Sequence, residues 1–281
     1  LLAQTIDPLS ASYTRADSIA LSVPKNKKIP LDELTQLLTK DLNTDHERYR
    51  VIFRWIAENI AYSFANKTRD PQKVLQKRAG VCMGYSSLFQ TMCQKAGLSC
   101  ETVAGFAKTD VSDIGVKQSK TNHEWNVISL YGKRYLIDAT WAAGNYTGKF
   151  VKDFDGSYFL SDPKFLVLSH YPQDTSYLLL KEKISYDEFI KFPIVYSGYV
   201  KNQLNVPSIP DGRLKKDFKL VFYSNIPVES CYGGFYGEKG TIPIDLSRND
   251  SQYIIQHKFP LMSKGEFTIY VNGKAVFGFK K

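Results

Sequence analysis

The strongest helical pattern in the chain lies between residues 45 and 60. Its apolar positions recur at spacings of three and four residues: Tyr49, Ile52, Phe53, Ile56, Ala57 and Ile60. This spacing places the apolar side chains on one continuous face, so it predicts an amphipathic helix packed against a core. Asn43 and Thr44 precede the pattern as candidate N-caps, and a leucine-rich segment predicts another helix from Pro30.

A second strong helical pattern begins at Cys82. Its apolar positions are Tyr85, Leu88, Phe89, Met92, Cys93 and Ala96. Gly97 follows as a left-handed stop, so the segment predicts a helix with one buried face. A third, short helix is predicted before it, from Asp70-Pro71 to near Gly80.

Strand patterns dominate the rest of the chain. Residues 98–107 predict a strand, 108–122 a polar loop, and 124–130 with 134–140 a hairpin. Short β-type runs with turn signals follow residue 190, and Asn272-Gly273 is the best hairpin signal among them. These patterns predict an α+β fold class, with helices packed on an antiparallel sheet and a small all-β sandwich at the C-terminal end.

Composition and charge narrow the classes of protein. The 281 residues are 43% hydrophobic, which is adequate for buried cores, and no apolar run has the length of a transmembrane segment. The formal charge of +9 comes from scattered bases and short groups such as 25–28, so it indicates a solvated basic surface and no nucleic-acid partner. Residues 1–5, LLAQT, resemble the end of a removed export signal, so we expect a periplasmic, cell-surface or secreted protein.

Cys82 is the candidate nucleophile among four cysteines. No CxxC pair indicates a zinc knuckle, and Cys93, Cys100 and Cys231 are each expected to be small buried hydrophobic residues. A cysteine at the first turn of a helix lies among unpaired N–H groups, which favour a thiolate and can receive an oxyanion. Gly80 and Gly84 are expected to let backbone or substrate approach it. A purely structural cysteine is the alternative.

The predicted hairpin supplies a base and a partner for it. His123 begins the first strand, and Asp138 lies near the end of the second. If Ser129 pairs with Arg134, Asp138 is the diagonal neighbour of His123, whereas a three-residue loop would send Asp138 to the opposite face. Strand-start histidines are more often capping or surface residues, and an aspartate before Ala-Thr more often forms a turn.

Three segments in order resemble the transglutaminase-like cysteine enzymes. They are "FRWIAENIAYSF", "AGVCMGYSSLF" and "NHEWNVISLYGKRYLIDATW", and "DATWAAGNY" with "YFLSDPKFLVLSHYPQD" is similar to the kyphoscoliosis-peptidase branch. The resemblance implies a papain-like fold with Cys82 as nucleophile, His123 as general base and acid, and Asp138 as the residue that orients His123. It also implies that Trp125 and Trp141 are motif tryptophans, which we expect to pack, and that no cofactor or metal is needed.

The residue patterns and this resemblance together suggest a division of the chain. We expect an N-terminal arm over 1–30, a transglutaminase-like catalytic domain over 31–190, a linker over 191–211 and an Ig-like β-sandwich over 212–281. The expected function is that of a cysteine peptidase or amidase acting through an acyl-enzyme on a protein, peptide or peptidoglycan.

Two alternatives share this fold. One is transglutaminase-type acyl transfer, which would cross-link or deamidate proteins with the same three residues. The other is a non-catalytic interaction module whose β-rich C-terminal domain recruits a protein partner. Basic charge and the export expectation alone suggest a third activity, which is cell-wall cleavage.

Overall fold

The computed structural model describes residues 8–9, 11–23, 29–259 and 265–281. The LLAQT segment and the basic group at 25–28 lie outside these ranges. The described helices are α1 Thr14–Ser22, α2 Leu31–Thr39, α3 Asp45–Asn59, α4 Pro71–Lys77, α5 Cys82–Lys95, α6 Ala139–Ala143, α7 Pro163–Leu166, α8 Tyr186–Phe189 and α9 Gly198–Lys201.

The described strands, in chain order, complete the secondary structure. They are β1 Ala61–Tyr62, β2 Ala79–Gly80, β3 Cys100–Ala107, β4 His123–Leu130, β5 Lys133–Ile137, β6 Gly144–Tyr146, β7 Phe150–Lys152, β8 His170–Pro172, β9 Ile194–Val195, β10 Leu204–Asn205, β11 Asp217–Ser224, β12 Cys231–Phe235, β13 Ile242–Pro243, β14 Asp245–Asn249, β15 Gln252–Lys258, β16 Glu266–Val271 and β17 Lys274–Lys280. The helices predicted around residues 31, 45, 71 and 82 are therefore confirmed.

The chain forms two compact units, of which the first runs to Gly105 and includes Asn122–Pro163 and Pro172–Leu179. Its main sheet contains β5, β4 and β3 in that order, and the three strands are antiparallel. The apolar faces of α3 and α5 are buried, as their spacing predicts, and α5 packs on β4. This helix-on-sheet arrangement brings the start of α5 to the start of β4.

The register of the β4–β5 hairpin agrees with the pairing that joins His123 to Asp138. Ser129 pairs with Arg134 and Leu130 with Lys133, so a two-residue turn connects the strands. Tyr131 and Gly132 both have positive φ in this turn, at 51° and 74°, which is typical of a type I′ hairpin turn. The even-numbered loop keeps Asp138 on the side of the hairpin that His123 occupies.

Two local features of this unit differ from what the sequence patterns indicate. The first thirty residues contain α1, because buried Ala16 and Ala20 pack toward α3 and Asp17 accepts two hydrogen bonds from Arg50, at 2.7 and 2.9 Å. Small alanines give too weak an apolar pattern to indicate this helix from sequence. The second strand of the hairpin ends at Ile137 rather than at residue 140, because Asp138 caps the N-terminus of α6.

The second unit consists of Phe106–Thr121, Lys164–Tyr171 and Leu180–Lys281. It contains two sheets, with strand orders β10-β11-β15-β14 and β13-β12-β16-β17-β9. Aromatic rings join the sheets, with centroids 5.2 Å apart for Phe218 and Phe279 and 4.7 Å for Phe259 and Phe267. The predicted Asn272-Gly273 hairpin is present between Val271 and Lys274. The division of the chain into functional domains stays a prediction.

The expected α+β fold class is confirmed, with helices packed on an antiparallel sheet and a strand-rich C-terminal region. Within the described ranges, no helix combines the length and apolar character that crossing a bilayer requires. All four cysteines are described, and all four are free thiols.

Candidate active site

Cys82 is the first residue of α5 and is half-buried. The preceding strand, β2, pairs in parallel with β1, and Ser63 N donates to Gly80 O at 3.0 Å. The N-cap is Val81, which has no side-chain oxygen to accept a hydrogen bond from the first turn. Gly84 N and Tyr85 N donate to Val81 O. The N–H groups of Cys82 and Met83 are therefore the candidates to receive an anion that forms at the sulfur or at a carbonyl beside it.

Asp138 is fully buried and makes two kinds of contact. Its Oδ1 accepts from the backbone N–H groups of Thr140 and Trp141, at 2.7 and 3.0 Å, which caps α6. Its Oδ2 lies 2.7 Å from His123 Nε2. The cap holds the carboxylate in one orientation, so the turn-forming role and the orienting role of this aspartate are combined in one side chain.

His123 lies between Asp138 and Cys82. Burial by itself opposes the imidazolium, but the Asp138 charge, the hydrogen bond to Asp138 and a hydrogen bond with Cys82 raise the pKa of His123 to about 10. A carboxylate only accepts, so Nε2 donates to Asp138, and Nδ1 is left to exchange a proton with Cys82. The three residues proposed from sequence are thus brought together in one hydrogen-bonded series.

Two tryptophans contact the imidazole of His123. The buried Trp125 ring is stacked on it, with centroids 6.0 Å apart, and the Trp141 ring lies at 5.9 Å with a tilt of 52°. Trp141 also contacts Tyr158 edge-on at 5.6 Å. Both rings restrict rotation of the imidazole, so their contacts agree with the packing role expected for them.

The sequence analysis missed a polar network on the other face of β4. Glu124 accepts a two-pronged pair of hydrogen bonds from Arg69 and a third from Ser86 of α5, at 3.2 Å. Buried Asn126 donates to Ser86 O at 3.1 Å and to Glu101 O at 3.3 Å. Glu124 and Asn126 alternate along β4 with His123 and Trp125, so they lie on its other face. Two polar residues on a face that packs against a predicted helix could have indicated this network from sequence.

The buried side chains of His123, Asp138 and His170 are zinc-ligand types, and one ligand atom of each lies within 4.8 Å of the others. In this arrangement His123 Nε2 and both oxygens of Asp138 already have hydrogen-bond partners. Proton transfer requires a series of groups in which each is hydrogen-bonded to the next. The geometry therefore fits acid–base chemistry at the sulfur.

Gly84 has a packing role that the sequence analysis did not predict. A Cβ atom here would lie 2.9 Å from Val74 Cγ2 and 3.0 Å from Thr68 O, so α4 and the preceding loop occupy that side of α5. Of the two expected approaches at Gly84, the structure shows that of backbone, from Thr68 O. At Gly80 a Cβ would meet Val74 at an ordinary 3.5 Å, so space does not demand glycine there.

We expect Gly84→Ala to lower the free energy of unfolding by ~1–2 kcal/mol, because overpacking outweighs the better helix propensity of alanine. Urea unfolding measures the change. Gly80→Ala is the matched control, because the added methyl makes only van der Waals contact and should leave the unfolding midpoint close to that of the original chain. Equal midpoints for all three proteins would contradict this account of Gly84.

Comparison with known proteins gives the family of the site-bearing region. Residues 32–141 match the model of the transglutaminase-like superfamily. The matched range contains Cys82, His123 and Asp138. The chain carries a transglutaminase-like domain.

Characterised relatives of this transglutaminase-like chain point to one branch. The chain is 36% identical to the kyphoscoliosis peptidase of Homo sapiens over 172 residues, which is 58% of this chain and 26% of that protein. It is 30% identical to Hillarin of Drosophila melanogaster over 218 residues, or 71% of this chain and 26% of Hillarin. The expected similarity to the kyphoscoliosis-peptidase branch is confirmed. The chain spans about a quarter of the length of these relatives.

The expectation of export is wrong. The transglutaminase-like chain is also 26% identical to cytokinesis protein 3 of Schizosaccharomyces pombe (strain 972 / ATCC 24843) over 158 residues, which is 53% of this chain and 18% of that protein. Cytokinesis is carried out by machinery inside the cell, so a periplasmic, cell-surface or secreted location does not agree with these relatives. Cell-wall cleavage loses its main support with that expectation.

Proposed function

We propose that the transglutaminase-like chain is a thiol-dependent amide-bond enzyme, and specifically a cysteine peptidase or amidase. The carrying observation is the 2.7 Å hydrogen bond between His123 Nε2 and Asp138 Oδ2, together with the hydrogen bond between His123 and Cys82. In this proposal Cys82 is the nucleophile, His123 the general base and acid, and Asp138 the orienting group. Cys82 is half-buried, so part of this residue is exposed to solvent.

The first half-reaction forms an acyl-enzyme. His123 Nδ1 takes the proton of Cys82, and the thiolate attacks the amide carbon. The oxyanion is received by N–H groups at the start of α5. The imidazolium then gives its proton to the amine nitrogen, the carbon–nitrogen bond breaks, and a thioester to Cys82 remains. The raised pKa of His123 favours the imidazolium that this step uses.

The second half-reaction decides between hydrolysis and transfer. His123 removes a proton from water, the resulting hydroxide attacks the thioester, and the acid and free Cys82 thiol are released. A lysine amine in place of water would give a cross-link by the same steps. Hydrolysis needs no second binding site, and the name kyphoscoliosis peptidase in a relative supports the same choice. Peptide or protein is the proposed substrate class.

The reactivity of Cys82 tests the proposal directly. At pH 6 we expect iodoacetamide to alkylate Cys82 at least about tenfold faster than Cys231, because only Cys82 has an adjacent base. Burial raises the pKa of Cys231 to about 12. Burial, together with the interaction of its thiol with Cys100, raises the pKa of Cys93 well above its ordinary value. Peptide mass mapping of a time course gives the rate at each cysteine.

Cys231 is a matched internal control, since it is half-buried like Cys82 but lies in the second unit. His123→Ala should bring the rate of Cys82 down toward that of Cys231. Equal and slow labelling of both thiols would contradict the enzyme proposal and favour a non-catalytic interaction module. Incubation with a peptide library, with and without a fluorescent primary amine, then separates hydrolysis from acyl transfer.

A further inference from the structure

Three aromatic side chains form a closed triangle near Cys82. Tyr62 and Phe64 contact edge-on with centroids 5.2 Å apart, and so do Phe64 and Tyr146, also at 5.2 Å. Tyr62 and Tyr146 complete the triangle at 6.1 Å. We call these three residues the aromatic cluster. Edge-to-face contacts at these distances are favourable, so the rings support one another's positions.

The aromatic cluster is open to solvent on its outer side. Phe64 is 53% exposed and Tyr146 is 48% exposed, while Tyr62 is half-buried beneath them. Phe150, which pairs with Tyr146 on the neighbouring strand and shares its face, is half-buried. A contiguous exposed apolar surface of this kind is typical of a binding site rather than of an ordinary exposed residue.

Tyr62 connects the aromatic cluster to the nucleophile. It pairs with Gly80, two residues before Cys82, and the next residue donates to Gly80 O. Burial, followed by the charges of Cys82 and Asp138, raises the pKa of Tyr62 to about 12, so its hydroxyl lies within electrostatic range of both groups. The aromatic cluster therefore lies beside the segment that carries Cys82.

The charges near the aromatic cluster determine which kind of side chain it can bind. An aromatic cage can bind a cation. However, the segments that carry Phe64 and Tyr146 also carry the exposed Lys67 and Lys149, and Lys152 Nζ donates to Ile60 O beside β1 at 3.4 Å. Asp153 is the opposing charge on these segments. A cationic side chain would be repelled, whereas an uncharged apolar group gains the full benefit of burial.

We infer that the aromatic cluster binds an aromatic or large aliphatic side chain of the peptide substrate, in the residue flanking the amide bond that Cys82 attacks. This inference rests on the proposed function. Phe64 and Tyr146 supply the contact surface, and Tyr62 holds it beside the sulfur. The cluster therefore determines which peptide bonds are presented to Cys82.

Vinyl sulfones built on single N-acetylated amino acids test this selectivity. The Cys82 sulfur adds to the vinyl carbon β to the sulfone, and the carbon next to the sulfone takes a proton, so labelling needs no turnover. We expect the phenylalanine probe to label Cys82 at least about tenfold faster than the alanine probe. The lysine probe should be slower than the phenylalanine probe by at least that factor. Intact-mass time courses at several concentrations give the second-order rate constants.

Phe64→Ala and Tyr146→Ala should each reduce the phenylalanine-to-alanine ratio to about threefold or less. Tyr236→Ala removes a ring that is 86% exposed in the second unit, so it is the matched control and should leave the ratio unchanged. A phenylalanine-to-alanine ratio near one in the original chain would overturn the inference. So would a ratio that stays unchanged in both cluster variants. Thermal melting of each variant checks that a lost ratio does not come from unfolding.

Iodoacetamide labelling of the same samples separates the two possible failures. Rapid alkylation of Cys82 without a preference for phenylalanine would overturn the role of the aromatic cluster and leave the proposed enzyme intact. Slow alkylation of Cys82, at the rate of Cys231, would overturn the proposed function and this inference with it. A lysine probe that outpaces the phenylalanine probe would identify the cluster as a cation site and contradict the inference.

Discussion

Cys82→Ala is expected to reduce turnover of peptide or amide substrates to background, a loss of about 10⁴-fold or more. The sulfur forms the bond to the substrate, and the methyl group of alanine cannot do so. Because Cys82 is half-buried at a helix start, we expect the free energy of unfolding to change by less than ~1 kcal/mol. Activity assays and urea unfolding on the same preparation measure both quantities.

Cys231→Ala is the matched control for this substitution. It also removes a half-buried thiol, but from β12 in the second unit, so activity should be retained. Turnover that survives in Cys82→Ala would contradict the nucleophile assignment. A large loss of stability in that variant would indicate that Cys82 is a structural cysteine, which is the alternative that sequence leaves open.

Asp138→Asn is expected to lower the rate by ~10²–10⁴-fold while preserving the fold. The amide oxygen of asparagine can still accept from Thr140 N and Trp141 N, so the cap of α6 remains. The amide nitrogen would then face His123 Nε2 as a donor. That contact favours the tautomer with a proton on Nδ1, which cannot accept the proton of Cys82.

Asp138→Ala separates the two roles of this side chain. It removes the hydrogen bond to His123 and the helix cap together, so it should be less stable than Asp138→Asn by ~1 kcal/mol or more. Both variants should be similarly slow. Equal stability of the two variants would contradict the capping role, and an Asn variant with nearly full activity would contradict the orienting role.

The pH dependence has a definite sign. The pKa of His123 is raised from 6.5 to about 10 in the folded protein. Its contribution to stability is therefore fully present below about pH 6.5 and is lost as pH rises through about 10. Asp138→Asn should lack most of this loss, because the carboxylate charge that favours the imidazolium is gone. Urea unfolding of both proteins at pH 7 and pH 10.5 measures the difference.

The pH dependence of Cys82 alkylation has the same cause as that of stability, which is the raised pKa of His123. In the original chain, alkylation of Cys82 should keep its imidazolium-dependent component until His123 loses its proton near pH 10. In Asp138→Asn this component should disappear at a lower pH. Coincident pH profiles for the two proteins would show that Asp138 does not act through the imidazole.

Local patterns determined the elements that carry the site. The spacing of apolar residues predicted α3 and α5, because residues three and four apart share a helical face wherever the helix packs. The Tyr131-Gly132 turn permitted the even-numbered hairpin register, since turn length decides the side to which each strand residue points. These elements gave Cys82, His123 and Asp138 their places in the chain, and the family resemblance supplied the roles proposed for them.

Other features depend on partners far away in the chain. Helix α1 is stabilised by Asp17 and Arg50, which are 33 residues apart, and Gly84 is required by Val74 and Thr68. The hydrogen bonds from Arg69 to Glu124 join residues that are 55 positions apart in the chain. Within its own segment, each of these residues belongs to no repeating pattern. Its partner therefore cannot be recognised from the local sequence.

The sequence by itself determined the fold class, the order of the main elements and the three reactive residue types. Only the tertiary structure decided that Asp138 both caps α6 and holds His123, and that Tyr62, Phe64 and Tyr146 meet beside Cys82. The physical reason is the separation along the chain over which each kind of interaction acts. Backbone periodicity and turn geometry act over a few residues, whereas packing and hydrogen bonding at the site join segments whose separation along the chain leaves no repeating pattern.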